Sequence, residues 1–170
     1  MKRTLKFLHE IGTVGVMGAV SVMLILSSFG KGLPIEDHAI LREVIRLTSR
    51  LLLIPSLLIV LASGLIAMAV HKPYHNAGWV WAKLVTTPLV LEATLIAIDG
   101  PAQIAAKLSA KAAAGDAAAM TALEKVLRHE QGGLWVALFL YTANVALGVY
   151  RPKKRRRAAM AEPVAAAEEA

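Results

Sequence analysis

The chain has 170 residues, a length that sets one domain as the expectation. It is 56% hydrophobic and 18% charged with a mean hydropathy of +0.56, where ordinary soluble domains carry about 25% charge. This composition excludes global disorder and argues against a soluble globule, and the absence of cysteine excludes disulfides, thiolate metal sites and cysteine nucleophiles.

A crossing of the ~30 Å hydrocarbon core needs roughly 20 helical residues. Four apolar stretches approach or reach that length, at about 8–29, 51–70, 79–98 and 134–150. Only a helix pairs all its backbone groups within one segment in lipid. The expected fold is therefore all-α, a four-helix transmembrane bundle over residues 1–152 with short interfacial helices in its outer loops. Residues 153–170, basic and then Ala/Glu-rich, read as a disordered cytoplasmic tail.

The first stretch follows Lys2, Arg3 and Lys6, as a signal peptide would, but its apolar run is too long and no A-x-A-like site follows Phe29. His9 and Glu10 open it. Gly12, Gly15 and Gly18 then recur at three-residue steps, a spacing that lets another helix, or a flat ligand, approach the backbone.

Residues 34–50 read as an interfacial helix. Pro34 suits its start and Glu36 and Asp37 its first turn. Arg42, Arg46 and Arg50 form a cationic stripe at i, i+4 and i+8, expected to snorkel to headgroups or, on a functional reading, to form a positive mouth over the bundle. Pro55 should kink the second crossing, where Ser63 and Gly64 offer a partner surface to the glycines of the first. The turn from His71 to Asn76 makes the middle crossings a hairpin. His71 and His75 have metal-ligand spacing, but Pro73 between them makes it unreliable, and no metal site is assigned.

The third stretch carries Lys83 and Glu92, nine residues apart and half a turn out of phase. Ionisable groups in lipid are costly and raise a functional-site hypothesis. Lys83 is expected to meet Glu10, and Glu92 to meet Arg50 or Arg46. Residues 100–131 read as two short helices divided at Gly115-Asp116, with Asp116 as an N-cap. Asn144 lies in the fourth crossing, so that His9, Glu10, Lys83 and Asn144 share the cytoplasmic third of the bundle. Trp79, Trp81 and Trp135 sit near crossing ends as interface anchors.

Arg151, Lys153, Lys154, Arg155, Arg156 and Arg157 close the fourth stretch. With the opening cations, they put both termini in the cytoplasm of a multi-pass inner-membrane protein. The cluster should attract anionic headgroups at about 1 kcal/mol per residue. Nucleic acid is not an expected partner, because no aromatic-interleaved basic surface accompanies it.

Several short motifs together resemble a known pattern. They are Lys6 to Gly12, Ile54-Pro55-Ser56-Leu57 with Ser63-Gly64-Leu65, Trp81-Ala82-Lys83-Leu84, and Ala143 to Pro152. This set resembles an uncharacterised DUF-type family of bacterial four-helix membrane proteins, itself similar in pattern to the copper-resistance D domain and to HemJ, the membrane protoporphyrinogen oxidase. The HemJ likeness implies haem or porphyrin near His9 and Lys83, with an oxidoreductase activity. The copper-resistance likeness implies metal passage.

The residues leave three readings open. One is a redox or tetrapyrrole-associated protein using His9, Glu10, Lys83 and Asn144. Another is a structural or assembly protein, as a homo-oligomer or with a membrane partner. The third is a transporter or permeation element for a metal ion, proton or small solute, gated by Glu92 and Arg50. No nucleophile–base arrangement, phosphate loop or paired-carboxylate site supports hydrolysis.

Overall fold

The computed structural model describes residues 2–70 and 88–150, all of which lie in helices or the short turns between them. Helix α1 is Lys2–Phe29. Helix α2 is the continuous rod Ile35–Val70, and α3 is Pro88–Ala113. Helix α4 is Ala117–Tyr150. Three of them, α1, α2 and α3, are long and apolar enough to cross a membrane. Lys83, Trp79, Trp81, His71, His75 and the 151–157 basic cluster lie outside the described residues.

The expected short interfacial helices are not separate elements. Residues 35–48 run on into the second apolar stretch through a π-helical turn at Ser49–Leu53. Residues 100–113 likewise continue the third stretch through a π-helical turn at Leu95–Asp99. The physical reason is the same at both places. Each π turn ends two residues before a proline, Pro55 and Pro101, whose missing N–H and bulky ring disrupt the α ladder. The wider turn absorbs that disruption, with Ile54 donating its N–H to the Ser49 carbonyl and Gly100 to that of Leu95. The two turns also face each other, the Ser49 hydroxyl donating to Asp99 Oδ1 at 2.8 Å.

The alanine-rich 100–131 region favours helix strongly enough to extend α3 and α4 on either side of the turn between them. The division at Gly115 and Asp116 is as expected. Gly115 has φ +93°, a left-handed conformation that suits glycine. Asp116 Oδ1 accepts from the N–H groups of Ala118 (3.0 Å) and Ala119 (3.1 Å), capping α4.

The core lies along α1, with Val16, Ala19, Val20 and Met23 buried against Ile45, Leu53 and Leu57 of α2, Ile98 of α3 and Leu134 of α4. Much of the remaining surface is large and apolar, including Val14, Ile25, Leu51, Ile96 and Phe139. Such faces suit a hydrocarbon surround rather than water.

Candidate functional site: a buried arginine–glutamate centre

The inward face of α2 reads His38, Arg42, Ile45, Ser49 and Leu53, all buried and three or four residues apart. On α4 the same spacing gives Leu123, Leu127, Glu130 and Leu134, all buried except the half-buried Leu127. Helix packing thus drives one arginine and one glutamate into the interior from opposite sides. Their side chains are 2% and 0% exposed, and they form an ion pair between Arg42 Nη1 and Glu130 Oε2.

The surrounding groups complete a chain of hydrogen bonds across all four helices. Arg42 Nη2 donates to Ser27 Oγ of α1 at 3.2 Å. Arg42 Nε donates to His38 Nε2 at a long 3.4 Å. Since a guanidinium only donates, His38 Nε2 must accept, so its proton sits on Nδ1 and is donated to Ser109 Oγ of α3 at 3.3 Å. Glu130 Oε1 is buried with no hydrogen-bond partner. Burial pushes the Glu130 carboxyl above the usual carboxylate range, the charge and hydrogen bond of Arg42 only partly opposing it.

Its position follows from Ser27, which lies two residues before the end of α1. The centre therefore sits at the level where the first apolar helix stops.

The residues singled out in the sequence fare differently. His9 Nδ1 lies 3.1 Å from Ser63 Oγ and 3.2 Å from the Val60 carbonyl, tying α1 to α2. A Cβ on Gly64 would lie 3.7 Å from Cε1 of the same imidazole, in ordinary van der Waals contact. Glu10 is exposed and its carboxylate pairs with Lys6 of its own helix at 3.6 Å. Asn144 is half-buried on α4.

Glu92 and Arg50 are both exposed, and among the described residues no ion pair joins them. The expected pairing of Glu92 with Arg46 is also not seen, because Arg46 instead donates to Glu43, three residues away on its own helix, at 2.8 Å. Arg42 departs from the snorkelling stripe altogether: it faces inward. Successive residues at i, i+4 and i+8 drift around the helix, so the stripe spirals from the core face to the surface.

Gly12 and Gly15 do pack α1 on α2. A Cβ on Gly12 would lie 3.0 Å from the Ser56 carbonyl oxygen and 2.8 Å from Val60 Cγ2, and one on Gly15 would collide with the Ser56 side chain. Gly18 is different, with nothing within 4 Å of its Cβ position. This contact also closes the glycine face to a flat ligand, so Gly12 and Gly15 do not fit a macrocycle. Among the described residues no group of three or more His, Asp or Glu side chains could hold a metal ion.

Sequence reasoning missed Glu130, Ser109 and Ser27. The signal was present, since Glu130 falls on the stripe Leu123, Leu127, Leu134 of an otherwise amphipathic pattern. A carboxylate at a core position of such a stripe asks for a buried cation.

No family model matches the chain, and neither a characterised protein nor a solved structure does.

Proposed function

We propose that this chain is a multi-pass protein of a bacterial inner membrane, a four-crossing bundle with both ends in the cytoplasm, acting as a structural or assembly element. One observation carries the reading: among the described residues, Arg42, Glu130 and His9 are engaged in ties between helices. Arg42 is held by Glu130, Ser27 and His38. His9 is engaged with Ser63 and Val60 of the neighbouring helix. A site built for redox or tetrapyrrole chemistry would instead gather these groups around one shared cavity.

The test uses the purified chain in mild detergent and in proteoliposomes. The expected absorption spectrum is flat above the tryptophan band, oxidised and reduced, with no proton flux above empty liposomes. A stoichiometric Soret band lost in His9→Ala would overturn the reading in favour of the tetrapyrrole one. A proton flux abolished by Glu130→Gln would overturn it in favour of permeation, for which the unpartnered Glu130 oxygen would be the carrier.

A further inference from the structure

A groove of about 390 Å³ runs down the outside of the bundle between α3 and α4. Its walls are Val90, Ala97, Val136 and Leu140, and Gly132 supplies a floor without a side chain. Val136 is 59% exposed and Leu140 41%, so the groove opens outward rather than into the core. One end is closed where the Tyr141 hydroxyl donates to Thr94 Oγ1, which itself donates to the Val90 carbonyl at 2.7 Å. At the other end stand Arg128 and His129, both exposed.

Depth identifies what this end would meet. Glu130, the next residue, pairs with Arg42, which donates to Ser27 near the end of α1. Arg128 and His129 therefore lie where the first apolar helix stops, at headgroup level. From Arg128 to Tyr141 the helix descends about 20 Å at 1.5 Å per residue, against ~15 Å for one leaflet of the hydrocarbon core.

We infer that the α3–α4 groove binds one anionic phospholipid of the surrounding bilayer, an acyl chain lying along Gly132 and Val136 and the phosphate held by Arg128. The groove is apolar at acyl-chain depth and cationic at phosphate depth, the complementarity such a molecule requires. Arg128 has no ion-pair partner among the described residues, so its guanidinium is open to a phosphate. The lipid site rests on the membrane placement but not on the structural role proposed above, since a permeation protein could hold the same lipid.

The experiment is native mass spectrometry of the full chain released from detergent with added phosphatidylglycerol, and separately phosphatidylcholine. The wild-type chain should retain phosphatidylglycerol in preference to phosphatidylcholine. Arg128→Gln should weaken retention about tenfold, the effect of losing one charged hydrogen bond. Gly132→Leu, whose side chain enters open groove space, should abolish the Arg128-dependent lipid while leaving helicity and melting intact. Val136→Trp fills the same groove from its wall and should give the same result if Gly132→Leu does not purify. Lys31→Gln, in the α1–α2 loop, should bind as wild type. Retention unchanged by Gly132→Leu or Val136→Trp would overturn the inference. So would a loss in Lys31→Gln equal to that in Arg128→Gln, or no lipid on the wild-type chain.

Discussion

Arg42→Ala is expected to destabilise the folded chain by about 3–5 kcal/mol, and Glu130→Ala by a similar amount, in chemical denaturation of the detergent-solubilised protein. Each leaves the other member of a fully buried pair without its counter-charge. The double replacement Arg42→Met with Glu130→Leu should recover most of that loss, because it removes both charges and keeps apolar volume. A double variant less stable than either single one would mean that the pair itself, and not the stranded charge, holds the helices.

The pH dependence adds a second readout. The Glu130 carboxyl is raised by burial, so the folded state holds its proton more tightly than the unfolded state does. Its contribution is fully present below the ordinary carboxylate range and is lost as pH rises through the raised value. Glu130→Gln should flatten stability across that window.

Gly15→Leu is the second large effect, and it should separate α1 from α2. The space of a Cβ at Gly15 is already filled by Ser56, and no rotamer relieves a clash that begins at the first side-chain atom. Overpacking of this kind costs about 1–3 kcal/mol or more. Gly12→Leu should behave alike, because Ser56 backbone lies in its way. Gly18→Leu should be neutral or slightly stabilising, since its site is open and leucine is the better helix former. The comparison is read by melting temperature, and equal effects at the three positions would contradict the packing described.

Helical character was legible from hydropathy alone, because apolar runs of that length leave a backbone in lipid few alternatives. The turn at Gly115 and the cap at Asp116 were equally plain, each resting on local chemistry that no distant contact overrides. The continuity of α2 and α3 was not. Pro55 and Pro101 look like breaks, and only the π turns before them keep the rods whole.

The glycine face was half legible. Three-residue spacing turns the strip about 60° around the helix at each step, so Gly12 and Gly15 face α2 while Gly18 is exposed on another face. The Arg42–Glu130 centre was hidden for a different reason. The two residues are 88 apart in sequence, Arg42 in a cationic stripe and Glu130 at the end of an alanine-rich segment, and neither setting points to the other. Their meeting depends on the packing of α2 and α4 against α1, information carried by the buried stripes and not by either segment alone.

The architecture has one direct test, which the absence of natural cysteine makes clean. Single cysteines at Arg3, at Lys31 beyond α1 and at Lys111 near the end of α3 would be probed with a membrane-impermeant maleimide in intact cells. A four-crossing bundle with cytoplasmic ends predicts labelling of Lys31→Cys and Lys111→Cys at once, and of Arg3→Cys only after permeabilisation. Labelling of Arg3→Cys together with Lys31→Cys in intact cells, or of Lys31→Cys and Lys111→Cys on opposite sides, would contradict it.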